Sequence, residues 1–481
     1  MRLMALIPRG LRGMLAAAAV LAISVPATGT AQAPSTPDEA AAVYAAEIER
    51  NPTNAQAYDR LGFIRGQQGR TAEALELFEK AVELKPNFFD ALYHLGATRW
   101  WVKDYEGAFA PLQTAVGLNP RHPEARYYLG LTLAQRGDTM RALSELERAA
   151  ADGPNLAPIH LRLGLTRQAT GDLDGAIASF RRALAITPQD DEATNSLALA
   201  LVQRGEGLEA EKLWTALLAR VPDNHTARLN MGMSQMQRGD LASAVATCRD
   251  LVSRDPKNAL AFYNLGMALK QQDQFADAEQ ALRQAMSIDA ALPDAPYTLG
   301  VVLWQTGRGA EAAAEFRKTI ALNPEFADAH YMLATVLKQQ GDADGAVAGF
   351  RRAIELRPTS AEAHLSLGQL LQQRGDTAGA GEAFAEAERL RKLKADAQAS
   401  TFAVGVGREK LKQRDLTGAI EQFREAIKLA ADNPQAHYQL ALALRQAGRE
   451  TEARPHFAEA QRLSPWLKPP PLTSASRPSS K

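Results

Sequence analysis

The side chains of this sequence best suited to bind a metal or attack a substrate are eight histidines and a single cysteine, Cys248. One cysteine excludes an intramolecular disulfide, a CxxC redox pair and a cysteine-ligated zinc. No GxxxxGK followed by Ser or Thr, no HExxH and no GxSxG occurs, so the Gly-rich phosphate cradle, the zinc helix and the nucleophile elbow are all missing. His160, His330, His364 and His437 are the best metal candidates, but none has a close-spaced partner ligand. The expectation is therefore no metal, no cofactor and no catalysis.

The elements that would have to position such groups are set by composition and period. Hydrophobic residues make up 46% and charged residues 23%, which is a folding composition. Lys plus Arg balances Asp plus Glu at 55 each, so no charge excess argues for a nucleic acid partner. Residues 1–31 read as a signal peptide: Arg2, Arg9 and Arg12 precede an apolar run from Met14 to Val25 and then small residues up to Ala31. No other apolar stretch is long enough to span a membrane. The chain is thus expected to be exported, periplasmic or secreted, with no integral span after cleavage.

Beyond that segment one unit repeats twelve times. Stepping by 34 from Gly62 gives Gly96, Gly130, Gly164, Ala198, Gly232, Gly266, Gly300, Ala334 and Gly368, and after a step of 39 Gly407 and Ala441. We call these the reference residues of repeats 1–12. Alanine stands twelve residues later in every repeat, from Ala74 to Ala453. A bulky residue follows at sixteen, phenylalanine in seven repeats, and proline at twenty-four in nine. Apolar positions at three and four predict a helix of about 14 residues, a Gly-Asp or Gly-Arg turn, and a second such helix. Small reference residues let the two helices approach, and the Phe fills the space between them. The proline ends the second helix. Cys248 takes a Phe position, which predicts a buried, inert thiol. Pro111 and Pro455 fall inside second helices and predict kinks. The four histidines share the position six after the proline; Tyr58, Leu92 and Phe262 occupy it elsewhere, so it reads as a packing position.

The period, the Leu-Gly pair, the invariant Ala, the Phe and the terminal Pro closely resemble the tetratricopeptide repeat (TPR) family over residues 55–467. The resemblance implies an all-α, right-handed solenoid of about twelve units. Residues 32–54 would form a capping half repeat, 55–399 units 1–10, 400–467 units 11–12, and 468–481 a disordered Pro/Ser-rich tail. The five extra residues lie between Glu388 and Thr401, where composition favours one helix running from unit 10 into unit 11. About 7.5 Å and about 140° of added helix would then displace the last two units.

In this family the first helices line a concave, ligand-binding face. The corresponding stripe lies three before, one after and four after the reference. It places Tyr93, Trp100, Tyr127, Leu131, Met233, Met236, Tyr263, Met267, Tyr297, Trp304, Tyr331 and Lys338 on that face, with Trp101 beside Trp100. Nine repeats add Gln one residue beyond the stripe, Gln339 among them, which helix propensity alone explains. The Lys and Asn that grip a C-terminal carboxylate in chaperone-binding TPRs are not matched. An Asn ladder like that of O-linked N-acetylglucosamine transferase reduces to Asn230 and Asn264. The implied function is a scaffold capturing a protein or peptide segment of unknown identity. A structural role in a cell-envelope machine, for polysaccharide export or pilus assembly, and a non-catalytic partnership with a separate enzyme are the alternatives.

Overall fold

In every repeat the residue seven after the reference reverses the chain with a positive φ. Nine are glycines, from Gly69 to Gly448, and three are Lys103 (67°), Asp273 (58°) and Arg414 (65°). Only a residue without Cβ takes this left-handed conformation at no cost, hence the glycine signature of the turn. The next residue is often Asp, and its carboxylate accepts from the backbone N–H three residues on. Asp104 to Gly107 N (2.9 Å), Asp172 to Gly175 N (3.0 Å) and Asp415 to Gly418 N (2.8 Å) are examples. This satisfies a free N–H of the second helix and fixes where it starts.

The computed structural model describes residues 36–467 and 469. The segment 1–31 expected to be a signal peptide and the 468–481 tail, residue 469 excepted, lie outside the described residues. Twenty-four α-helices and no strand occur among the described residues. A lone helix, Pro37–Arg50, precedes the first pair, Ala55–Gln67 and Thr71–Leu84; the last pair is Pro434–Gln446 and Glu450–Leu463. Pro111 and Pro455 sit inside the unbroken helices Tyr105–Leu118 and Glu450–Leu463. Pro111 cannot donate to the Gly107 carbonyl four residues back, and the Arg99 guanidinium donates to it instead at 2.9 Å. Between repeats 10 and 11 no turn occurs: Thr377–Lys412 is one helix of 36 residues.

The described residues pack as two compact units that divide between Ala200 and Leu201. Each has its own core under paired helices. Leu112, Leu133, Leu146, Ile159 and Phe180 are fully buried in the first, and Leu282, Phe316, Phe350 and Phe423 in the second. Each such side chain contributes about 1.5–3 kcal/mol by leaving water. The reference glycines make room for them: a Cβ on Gly164 would stand 2.5 Å from Phe180 Cε1, and one on Gly266 2.7 Å from Leu282 Cγ.

Where the histidine position holds His or Arg, it also fastens the chain. His160 Nε2–H donates to the Pro154 carbonyl (3.1 Å), His330 to Pro324 (3.0 Å), His364 to Pro358 (3.1 Å) and His437 to Ala431 (3.0 Å). Arginine does the same in two other repeats, Arg126 to Pro120 (2.5 Å) and Arg228 to Pro222 (2.6 Å). Six donors thus tie the start of a first helix to the connecting turn, two residues past the end of the preceding second helix. They satisfy carbonyls of the turn itself.

Candidate functional site

In the N-terminal unit the expected strip is an aromatic cluster. Tyr93, Trp100 and Trp101 project from helix Phe89–Trp101, and Tyr127 and Leu131 from helix Pro123–Gln135. Trp100 meets Trp101 edge-on at 5.4 Å and Tyr128 at 5.8 Å, and Tyr93 lies 6.1 Å from Tyr128. The Trp101 indole N–H donates to the Tyr128 hydroxyl at 3.1 Å, while the Trp100 indole N–H is buried without an acceptor. His122 and Phe89 extend the cluster, His122 standing 4.8 Å from Phe89 and 5.1 Å from Tyr93. Burial raises the phenol pKa of Tyr93 and Tyr127, pushes that of Tyr128 up to about 12, and lowers that of His122. These groups stay neutral at physiological pH, so the cluster offers ring surface rather than charge.

Tyr127 and Leu131 belong to the buried core here, not to an open face. The same holds for Met236 in the C-terminal unit. A first-helix side chain is closed over by the next repeat as well as by its own partner helix, and the stripe spacing reports only the second of these. Tyr93, Trp100 and Trp101 remain half-buried.

The C-terminal unit holds Tyr263, Met267, Tyr297, Trp304, Tyr331 and Lys338, all half-buried, and Met233, which is exposed. Each tyrosine leans on an aromatic of its own helix pair where one is present: Tyr297 on Phe316 at 5.9 Å, Tyr331 on Phe350 at 5.6 Å. The Trp304 indole N–H donates to Gln339 Oε1 of the next repeat at 3.0 Å. Gln339 therefore does more than favour helix: it fixes the orientation of a strip tryptophan. Tyr331 Oη and Ser366 Oγ approach to 3.3 Å, again across a repeat boundary. The outcome is a row of rings held by neighbours on one side and open on the other.

Two polar clusters escaped the sequence. Asp59 is fully buried, with Oδ1 2.7 Å from His94 Nδ1 and Oδ2 without a partner. It stands at the position that is Tyr in six repeats, which hid it as a strip departure. His437 Nδ1 lies 3.1 Å from His456 Nδ1. The Ala431 carbonyl holds the His437 proton on Nε2, so His437 Nδ1 accepts and His456 donates. His456 sits on the second helix of the same repeat, beyond any local ligand spacing. Among the described residues no three His, Cys, Asp or Glu side chains gather as a metal site. Cys248 is buried, and burial pushes its thiol up to about 12.

The tetratricopeptide repeat family model matches residues 102–158, 133–191, 161–224, 195–259, 229–296, 297–361, 331–397 and 407–465. A second TPR repeat model matches residues 64–100. No curated protein matches the chain. Similar solved structures include a crystal structure of MamA, at 25% identity and a TM-score of 0.33, over 34% of this chain and 96% of that one. MamA from Desulfovibrio magneticus RS-1, residue 41 to the end, is similar at 20% identity and a TM-score of 0.33, over 35% and 96%. The APC/C hetero-tetramer Cut9–Hcn1 is similar at 16% identity and a TM-score of 0.33, over 89% and 91%. With the family models covering most of residues 64–465 and the helix pairs recurring on the same period, the chain belongs to the tetratricopeptide repeat family.

Proposed function

We propose that the protein is an exported, non-catalytic scaffold that captures protein or peptide segments on the first-helix faces of its repeats. The observation that carries this reading is Trp304. Its ring is half-buried, its N–H is fixed by Gln339, Tyr297 stands seven residues earlier on the same helix, and Tyr331 lies on the first helix of the next repeat. Rings held in place lose little entropy on binding and give large contact area, the usual makings of an interaction hot spot. Tyr263, Met267, Met233 and Lys338 extend this face in the C-terminal unit. Tyr93, Trp100 and Trp101 make a separate one in the N-terminal unit. The partner class is protein; export rests on residues 1–31 of the sequence.

The test is a photo-crosslinking residue placed at Trp304, at Trp100 and, as a second-helix control, at Lys318. Expected is one protein species caught from Trp304 or Trp100 in the native compartment, lost when Tyr297→Ala is added to the Trp304 variant. Equal yield from Lys318 would remove the case for these faces.

A further inference from the structure

The residue five before the reference begins the face that a first helix turns toward the preceding repeat. In eleven repeats it is small or β-branched and at most 2% exposed: Ala57, Ala91, Ala125, Ile159, Ala193, Ala227, Ala261, Ala295, Ala329, Ala363 and Ala436. In repeat 11 it is Phe402, and it is 75% exposed. The reason is the helix Thr377–Lys412. Because the second helix of repeat 10 continues straight into the first helix of repeat 11, it cannot fold back and cover that face. The side of repeat 10 that would meet a neighbour is already polar. Twenty residues past the reference stand half-buried apolar side chains in most repeats, such as Val252, Met286, Ile320 and Ile354. Repeat 10 has exposed Glu388 there, as the terminal repeat has exposed Gln461. Repeat 10 is finished like an end, whereas repeat 11 begins with an open apolar face.

That face has a definite shape and charge. Ala395, Ala399, Phe402 and Val406 follow spacings of four, three and four, one stripe about 16 Å long. Alanines beside a large ring leave a shallow channel in which a second helix can approach closely. Residues 389–412 carry seven bases against two acids in a chain that is otherwise balanced. Arg391 and Lys392 sit one turn ahead of Ala395 on the same face. With Lys394 they are exposed and make no ion pair among the described residues, whereas Arg389, Lys410 and Lys412 are paired with Glu386, Asp415 and Glu409.

From these observations we infer that the face centred on Phe402 docks an acidic amphipathic helix of a partner protein, which takes the place of the second helix that every ordinary junction supplies. A helix is the occupant because a helix covers this face at the other junctions. It is acidic because the unpaired bases beside the stripe, Arg391, Lys392 and Lys394, outnumber the unpaired acids there, Glu388 and Asp396, which also disfavours a second copy bringing the same excess of bases. A stripe made largely of alanine gives a lipid surface little to bury. This face is distinct from the Trp304 strip, so either can fail alone.

The experiment uses the full chain carrying Gln398→Cys labelled with a fluorophore, Cys248 being buried. The probe is a synthetic helix of Glu, Ala and Leu with a continuous Ala/Leu stripe. Saturable binding is expected, weakened about tenfold or more by Phe402→Ala and by the pair Arg391→Glu, Lys392→Glu, and unchanged by Trp304→Ala. Circular dichroism checks that the variants keep their helix; Phe402→Gln serves if Phe402→Ala does not. No saturable signal, equal binding of the same helix with Lys for Glu, or insensitivity to Phe402 overturns the inference. So does a signal from phosphatidylglycerol vesicles alone, which assigns the face to lipid. Concentration-dependent mass in sedimentation that Phe402→Ala abolishes overturns it too, in favour of self-association.

Discussion

Gly405 and Gly407 lie two residues apart in one helix, and the same substitution should move stability in opposite directions. Alanine in place of glycine favours helix by about 1 kcal/mol at either position. At Gly405 a Cβ meets nothing within 4 Å, so Gly405→Ala should stabilise by up to about 1 kcal/mol. At Gly407 the new Cβ would stand 2.4 Å from Phe423 Cε1 and 2.8 Å from Cδ1. Phe423 is fully buried and has no free direction to retreat. Overpacking of this kind costs about 1–3 kcal/mol, which exceeds the propensity gain and leaves Gly407→Ala about 1 kcal/mol destabilised. Repeats 9 and 12 carry alanine at this position opposite Phe350 and Phe457, but there the helix pair is built around it; Gly349 in repeat 9 sits against the Ala334 Cβ. Relief should therefore come from the other side: Phe423→Leu added to Gly407→Ala should cost less than the two single changes summed. Amide hydrogen exchange across residues 400–429 reads the local effect, and urea unfolding the global one. The reasoning fails if Gly407→Ala stabilises as Gly405→Ala does.

Replacing Lys103, Asp273 or Arg414 by glycine should stabilise by about 1 kcal/mol each, because all three are held at positive φ; thermal denaturation that shows a loss would contradict the turn assignment. Cys248 should resist a maleimide at pH 8 in the folded chain and react on unfolding, since its thiol is buried and pushed up to about 12. Burial holds the pKa of His122, His160 and His456 below the ordinary 6.5, so below that pH the unfolded chain takes up protons that the folded chain declines. Stability should then be full above 6.5 and fall toward pH 5, and His456→Asn, which keeps a donor for His437 but cannot titrate, should flatten part of that slope in urea midpoints.

The helix pairs were legible because their causes are local: Gly opposite Phe, Ala at twelve, Pro at the exit. What was not legible depended on neighbours. Tyr127 and Tyr93 hold the same repeat position, yet one is core and the other half-open, because the chain on either side of them differs. The fastening position hid behind chemical variety, since Arg126, Arg228 and four histidines share only a donor six residues after a carbonyl of the preceding turn. Lys103, Asp273 and Arg414 broke the glycine signature without breaking the turn. His456 was invisible as a companion of His437 because nineteen residues and a turn separate them.

The unbroken helix between repeats 10 and 11 bears on how the array comes apart. In a stacked repeat protein each unit is held partly by its own pair and partly by the interface with the next, and that interface is what makes neighbours melt together. Here one such interface is replaced by exposed helical turns, residues 391–395 and 397–399. Backbone continuity transmits geometry but little of the coupling energy. Repeats 11 and 12, with their own core of Val404, Phe423, Leu440 and Phe457, should therefore open as a separate cooperative block while the repeats before it stay folded. The exposed turns between them are where a protease would first find the chain.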